Sequence, residues 1–362
     1  MSQVAEHHTF SANSDMTELL NKELQLDGNY HPNLGGISRG GMANHYPMTI
    51  ISMHELGASD QQINNFKRQW PRNRALIDET LGLVDQHELS SQNWHLYLGQ
   101  SQKLKEFRRI FIEQFSQQDS AKVISNALQV MQDGLPMGLF HPLIRLSFAA
   151  LQGDKGLIAD ALAYMAIRYH DVYQSQQLKE GKPNLSYGGS IHVCEQLCSY
   201  RFVHAQAQDS NDSITADNLK DSMVRICKAA TQLYLTEPSL TTLHGVTASQ
   251  GLVDLTLRFA TDDDTKTVFA SLWQRYWIWL TALFIEKEVI EKDAIEKIST
   301  LEDTHEGSKK IEQGQAVNWQ DLADKALNTN EVHIIKMVYS CKWLYQQIDA
   351  DPLYYQAAKT ML

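Results

Sequence analysis

The apolar residues of this chain recur with the period of an α-helix along most of its length. In the segments LKEFRRIFIEQF (104–115), KGLIADALAYMAIR (155–168) and NLKDSMVRICKAATQLYL (218–235), hydrophobic side chains fall at positions i, i+3, i+4 and i+7. This spacing places them on one face of a helix, whereas the alternation typical of strands is scarce. We therefore predict an all-α fold of roughly fifteen helices.

The domain organisation follows from where the polar segments lie. The stretches 176–190, 206–214 and 298–316 are polar, but the composition does not change from one side of them to the other, so they are interpreted as surface loops. A chain of 362 residues is long enough for one large domain. We predict a flexible or disordered tail at 1–16, followed by a single large all-α domain at 17–362.

Charge and composition exclude several classes of partner. The formal net charge is −11 and no strongly basic stripe is present, so nucleic acid and anionic membranes are not expected partners. Uninterrupted apolar runs of about 18 residues, which a membrane span needs, are missing. The polar N-terminus lacks the apolar core of a signal peptide. We expect a cytoplasmic protein with reduced cysteines; homodimer formation stays open.

One short motif suggests serine chemistry. The sequence GISRG (36–40) matches the G-x-S-x-G pattern of a serine-hydrolase nucleophile elbow. That elbow requires a β-strand leading into the serine. We interpret the preceding residues, NYHPNLGGISR, as a loop, so the sequence disfavours a serine hydrolase. The glycines are more simply explained as flexibility before the next helix.

Three histidines occupy positions where helices are predicted to begin or break. His45 lies two residues before Pro47, and His141 lies directly before Pro142. Proline is best tolerated in the first helical turn, so both histidines should mark helix starts. His244 is followed by a glycine within an apolar helical run, and glycine weakens or kinks a helix. The positive end of a helix favours the neutral imidazole that a metal requires.

A fourth histidine, His333, is followed three residues later by Lys336 on the same helical face. A buried lysine loses its proton readily, and it could then lie beside a metal or, if carboxylated by carbon dioxide, bind it through oxygen. For each of the four histidines, an ordinary core position is the alternative. His54 falls on the opposite face of the helix from His45 and is excluded from a shared site. Histidines in polar segments, His31 among them, are expected in solvent or in loops.

Five segments in order resemble the questin oxidase-like family, which includes fungal enzymes of anthraquinone and aflatoxin-type polyketide biosynthesis. They are NHYPMTIISMHELGAS (44–59), GLFHPLIRLSFAAL (138–151), DALAYMAIRYHDVY (160–173), TLHGVTAS (242–249) and VHIIKMVYSCK (332–342). The resemblance implies an all-α fold, oxidative cleavage of aromatic or quinone rings, and a non-heme iron centre of histidines with a modified lysine. The residues at the matching positions are His45, His141, His244 and His333, with Lys336 as the candidate lysine.

The resulting hypothesis is an oxidoreductase that uses Fe(II) and O₂ on an aromatic or quinone-like small molecule. Imidazoles hold Fe(II) while leaving positions open for O₂ and substrate. No Asp or Glu directly adjoins any of the four histidines, so an oxygen from Lys336, or a water, would complete the site. Any external electrons would come from NADPH through another component, since no G-x-G-x-x-G fingerprint is present. A zinc hydrolase on the same histidines and a non-catalytic binding protein for an apolar ligand remain the alternatives.

Aromatic and charged side chains near these motifs suggest a substrate pocket. Trp273, Tyr276 and Trp277 belong to the aromatic stretch WQRYWIWLTALF and could enclose a flat substrate, with core packing as the alternative. Arg145 lies one helical turn after His141 and could bind a substrate carboxylate or phenolate, with a structural ion pair as the alternative.

Overall fold

The computed structural model describes residues 18–36, 42–70, 74–77, 89–174, 177–181, 190–209, 213–287 and 317–362. Its elements confirm the predicted all-α class. In chain order the fifteen α-helices of these residues are α1 Glu18–Asp27, α2 Tyr46–Glu55, α3 Asp60–Gln69, α4 Leu104–Gln117, α5 Ser120–Met131, α6 His141–Gln152, α7 Lys155–Arg168, α8 Ser190–Leu197, α9 Arg201–Asp209, α10 Leu219–Thr236, α11 Leu240–Phe259, α12 Asp263–Glu286, α13 Trp319–Thr329, α14 Val332–Gln347 and α15 Pro352–Lys359. Short 3₁₀ segments lie at Trp94–Tyr97, Ser101–Lys103 and Gln132–Gly134. The predicted tail at 1–16 and the predicted loop at 298–316 lie outside the described residues.

A two-stranded antiparallel sheet departs from the sequence prediction. Strand β1 (Tyr30–Leu34) pairs with β2 (Arg74–Leu76), so the residues interpreted as a loop before the G-x-S-x-G motif form a short, largely buried strand. Two features hid it: the strand is only five residues long, and Pro32 lacks the N–H group that a central strand would use. Ser38 of the motif lies outside the described residues.

Helix α11 is the central helix of the fold. Every residue from Thr241 to Thr256 is buried, and the helix packs against α5, α6, α10, α12 and α14. A helix that is buried on all sides belongs to the interior of a large helical protein. At Gly251 a Cβ would lie at ordinary contact distance, 3.4 Å, from the Ser147 side chain of α6. The buried apolar side chains around α11 form one contiguous core.

Four helices form a closed ring of contacts around the candidate site. Helix α2 packs against α6, α6 against α11, α11 against α14, and α14 against α2. The four histidines singled out by the sequence lie at or near the N-terminal ends of these helices. The fold therefore brings four helix N-terminal ends toward one place.

A capping box fixes where α11 begins. The Ser239 hydroxyl accepts a hydrogen bond from the Thr242 amide at 3.2 Å, and the Thr242 hydroxyl accepts one from the Ser239 amide at 3.0 Å. This reciprocal arrangement satisfies two N–H groups that the first helical turn would otherwise leave unpaired. The start of α11 is thus determined upstream of His244.

Replacing Ser239 with alanine should destabilise the protein by about 1 kcal/mol, the usual cost of losing an N-cap hydroxyl. Equilibrium unfolding in urea measures this effect. Ser116→Ala is the matched control, because this exposed hydroxyl only donates to the Glu113 carbonyl within its own helix. The control should change the free energy of unfolding by less than about 0.5 kcal/mol. Equal losses in the two variants would contradict the capping role.

Candidate functional site

His45 and His141 stand at helix starts, as predicted. His45 is the N-cap residue of α2, with Pro47 in its first turn. His141 is the first residue of α6, with Pro142 directly after it. In both cases the proline occupies a position where its missing N–H group leaves no helical hydrogen bond unmade.

The prediction for His244 was wrong in one respect. Helix α11 starts at Leu240 and continues without a break through Gly245, so His244 lies in its second turn. A glycine costs a helix only about 1 kcal/mol, which the packing of a fully buried helix readily offsets. The Tyr276 hydroxyl donates to the Gly245 carbonyl at 2.6 Å. His333 is the second residue of α14, and Lys336 follows on the same helix.

The structure brings the four histidine rings together so that each contacts two of the others. The ring centroid of His141 lies 4.6 Å from the centroid of the His45 ring and 4.6 Å from that of the His244 ring. The His333 centroid lies 4.8 Å from that of His45 and 5.4 Å from that of His244. The Nε2 atom of His141 is 3.1 Å from the Nε2 atoms of His45 and His244. We call these four residues the histidine cluster.

As the side chains stand, the described part of the chain contains no group of three or more His, Cys, Asp or Glu residues arranged to hold a metal ion. The histidine cluster is therefore established as a set of imidazoles in contact. Metal binding by this cluster stays a prediction. The hydrogen bonds of the individual rings determine which ring nitrogens are available to a metal.

Backbone carbonyl groups fix the tautomers of two of these rings. The Nδ1 atom of His141 lies 2.5 Å from the Gly138 carbonyl oxygen, and that of His244 lies 2.7 Å from the Leu240 carbonyl oxygen. A carbonyl oxygen only accepts, so each Nδ1 carries the hydrogen. In the neutral rings both Nε2 atoms then present lone pairs, which face each other at 3.1 Å and cannot form a hydrogen bond.

The backbone before His141 is strained in a way that serves this contact. Gly138, Leu139 and Phe140 have φ angles of +64°, +54° and +59°, in the left-handed region. For leucine and phenylalanine this conformation costs about 1–3 kcal/mol each, and such costs concentrate at functional sites. These three consecutive residues in the left-handed conformation bring the Gly138 carbonyl oxygen to the His141 ring.

Burial keeps the histidine cluster uncharged. Desolvation lowers the pKa of His141 to about 3 and that of His333 to about 4. Burial also lowers the pKa values of His45 and His244 well below 6.5, with further lowering from Lys336 and from neighbouring rings. At neutral pH these imidazoles are bases with available lone pairs, which is the state that binds metals.

These lowered pKa values predict that the metal-free protein loses stability in mild acid. The unfolded chain takes up protons as pH falls through about 6.5, while the folded cluster does not, so acid favours unfolding. Each histidine contributes up to about 1.4 kcal/mol per pH unit below that value. Urea unfolding of chelator-treated protein between pH 7 and pH 5 measures the slope. His141→Gln should reduce it by about one proton; an unchanged slope would contradict the assignment.

Lys336 is the most unusual charged group of the site. Its side chain is fully buried, and its Nζ has no hydrogen-bond partner among the residues that the structure describes. Burial lowers the pKa of Lys336 to about 7. Its charge acts on all four rings of the cluster, which places the amine beside them.

Arg145 forms the ion pair that was weighed as the alternative to a substrate contact. Its Nη2 atom lies 3.1 Å from the Asp27 carboxylate, and both side chains are buried. The Nη1 atom is buried without a hydrogen-bond partner in the described part of the chain. The Nη2 group of the guanidinium is thus used in a structural ion pair, whereas the Nη1 group has no such partner in the described residues.

The three predicted pocket aromatics lie in the core. The Trp273 and Trp277 indole N–H groups donate to Thr256 Oγ1 and to the Ala207 carbonyl, both at 3.0 Å. Tyr276 is nearer the cluster, since it holds the carbonyl of the residue after His244 and its ring centroid lies 5.5 Å from that of Phe140.

Sequence reasoning missed several residues around the site. Phe140 and Trp279 pack edge to face at 4.6 Å, next to His141 and Tyr276; the position of Phe140 directly before His141 was the available signal. His31 was expected in solvent or in a loop but is buried within strand β1, and its Nδ1 accepts from the Asn33 backbone amide. His54 stays outside the cluster, as predicted, and its ring lies 3.4 Å from Glu55.

The fold and the histidine cluster, in which His45, His141 and His244 are buried and His333 is half-buried, define an all-helical protein with several imidazoles held neutral. The family model described as questin oxidase-like matches residues 42–241, which is more than half of the chain. The chain therefore belongs to the questin oxidase-like family, and membership implies an oxidase. A search of curated proteins found no match. Within the described residues, none of the helices is long and apolar enough to cross a membrane.

Proposed function

We propose that this protein is a non-heme iron oxidase that uses O₂ to oxidise or cleave an aromatic, quinone-like small molecule. The observation that carries the proposal is the opposed Nε2 lone pairs of His141 and His244, 3.1 Å apart. Two lone pairs repel unless a cation lies between them. A proton is disfavoured there, because burial lowers the pKa values of both rings far below neutrality. A metal cation satisfies the same lone pairs.

The spacing of the rings supports a shared ion. Two nitrogen ligands on one ion, with bonds near 2.1 Å and angles of about 90–110°, lie about 3.0–3.4 Å apart. The two Nε2 separations around His141, both 3.1 Å, fall in that range. The Nδ1 atoms of His141 and His244 donate to backbone carbonyl groups, as the second nitrogen of a metal-ligating histidine usually does.

Four imidazole ligands favour a first-row transition metal. Membership in an oxidase family favours iron over zinc. Bound iron(II) would supply the one-electron chemistry that lets O₂ react with an electron-rich ring. The chain's own contribution is to hold the four rings neutral and to place Lys336 beside them. Lys336 would bind the metal through oxygen if carboxylated, or tune the site as a neutral amine. Any electrons required from outside would come from NADPH through a separate component.

The surroundings of the cluster suit a flat, oxygen-bearing substrate. Phe140, Tyr276 and Trp279 pack together in the core next to His141 and His244, and they would border a substrate that binds at the cluster. The uncommitted Nη1 of Arg145, one turn beyond His141, could donate to a phenolate or carboxylate oxygen. The aromatic rings would supply apolar contact area for the substrate, and the guanidinium would orient it.

Metal analysis combined with oxygen uptake tests the proposal. Protein purified without added metal or chelator should contain about one iron per chain, and should consume O₂ when given a hydroxylated anthraquinone and a reductant. Zinc in place of iron, with hydrolysis and without oxygen uptake, would favour the zinc hydrolase. Metal-free protein with an intact fold that binds the anthraquinone would favour a binding protein.

A further inference from the structure

Helix α1 carries two buried carboxylates one turn apart, and their hydrogen-bond and ion-pair partners in the described part of the chain lie outside the histidine cluster. Glu23 and Asp27 are 2% and 1% exposed, among the most buried acidic residues of the described chain. Carboxylates are rarely buried this completely unless they are paired. Their partners identify what they hold in place.

Asp27 joins the two helices that carry His45 and His141. Its Oδ1 atom accepts from the Asn44 side-chain amide at 2.8 Å, and Asn44 directly precedes His45. Its Oδ2 atom accepts from Arg145 at 3.1 Å, and Arg145 lies one turn after His141. A single carboxylate therefore spans from the start of α2 to the first turns of α6.

Further contacts make this junction rigid. The side-chain oxygen of Asn44 accepts from the Tyr46 backbone N–H at 3.2 Å, and the backbone N–H of Asn44 donates to the Pro32 carbonyl. The Tyr46 hydroxyl donates to Glu23 at 2.8 Å, and Lys67 also binds that carboxylate. Both sequence neighbours of His45 are thus tied to α1, while the His45 side chain points to the cluster. Arg74 forms a second ion pair with Asp27, at 3.3 Å, so two guanidinium groups flank this single carboxylate.

We propose that Asp27 is a positioning residue that sets the separation of the His45 and His141 imidazoles for metal binding. This inference rests on the proposed metal-binding function. Residues that orient the ligands of a metal centre typically contribute 10- to 100-fold to metal affinity. Asp27 acts one residue further out than a direct partner of a ligand, through Asn44 and Arg145.

Cobalt(II) binding, followed by its visible absorption during titration of the metal-free chain, tests the role. Asp27→Asn keeps the shape of the side chain and removes its charge, and we expect it to weaken cobalt binding by about 10- to 100-fold and to alter the absorption spectrum. The matched control is Asp254→Asn. Asp254 is 3% exposed and paired with Arg258 at 2.9 Å, and it also accepts from Ser147. The control should bind cobalt within about 3-fold of the unaltered protein, with an unchanged spectrum.

The outcomes separate the positioning role from general damage to the fold. Equal loss of affinity in the two variants, or unaltered cobalt binding by Asp27→Asn, would overturn the role of Asp27 while leaving the metal centre standing. An unaltered chain that binds no cobalt would overturn the metal centre and with it this inference. If Asp27→Asn does not fold, Asn44→Ala removes the link from Asp27 to the residue before His45, together with the hydrogen bond from the Tyr46 amide, and keeps the Arg145 ion pair. It should weaken cobalt binding and change the spectrum; unaltered binding would again overturn the proposal.

Discussion

His141→Ala should abolish metal binding at concentrations that saturate the unaltered protein. His141 is the ring in contact with two others through Nε2, so its removal takes away the central nitrogen of the cluster. Loss of a residue that merely orients a ligand costs 10- to 100-fold in affinity, so loss of the ligand itself should cost more than about 100-fold. Isothermal titration with iron(II) under anaerobic conditions, or with cobalt(II), measures the change.

The control for this prediction is His54→Ala. His54 lies on α2 like His45, but it is directed toward Glu55 and not toward the cluster. Its replacement should leave metal affinity within about 3-fold of the unaltered value, as expected for sites without shared partners. Iron bound by the His141→Ala protein as tightly as by the His54→Ala protein would refute the cluster as the binding site.

Lys336→Met should raise the stability of the metal-free protein at pH 7. Burial lowers the pKa of Lys336 from 10.5 to about 7, so folding forces the amine to give up its proton or hold the charge without a partner. By linkage this shift corresponds to at most about 4 kcal/mol at pH 7, and methionine of similar shape avoids it. We expect a gain of about 2–4 kcal/mol in the free energy of unfolding.

The pH dependence gives this prediction its sign. Between about pH 7 and pH 10.5 the unfolded chain keeps the lysine proton and the folded chain does not, so the unaltered protein becomes more stable as pH rises. Urea unfolding at pH 7 and pH 10 should show the Lys336→Met advantage shrinking across that interval. A variant no more stable than the unaltered protein at pH 7, or with the same pH slope, would contradict it.

The same variant should bind metal more weakly, because the proposed function uses Lys336 at the site. Stabilisation together with impaired function is the usual result when a strained or unpaired group at an active site is replaced. Unchanged iron binding and oxygen uptake by Lys336→Met would remove Lys336 from the proposed site, while leaving the four histidines in place.

The family match and the structure support different residues of the histidine cluster. The family match ends at residue 241, so it contains His45 and His141 but not His244, His333 or Lys336. The contacts of the His244 and His333 rings with the other two supply what the match does not cover. The cluster as a whole therefore depends on the fold and not on family membership alone.

Several parts of this picture follow from local sequence rules. The helical period of the apolar residues predicted an all-α chain, because residues at that spacing lie together on one helical face that can pack into a core. Pro47 and Pro142 marked the helix starts at His45 and His141, since proline lacks an N–H group that only the first turn can spare. These are effects of neighbouring residues, and so the chain alone could specify them.

Other features required the tertiary structure. Strand β1 and the unbroken course of α11 were missed, because pairing with β2 and burial on all sides outweigh the local preferences of proline and glycine. The contact of four imidazoles separated by up to 288 positions, the opposed lone pairs and the isolation of Lys336 arise from helices packed in a closed ring. Local sequence determines each helix and where it begins; only long-range packing decides which side chains meet, because that depends on surfaces far apart in the chain.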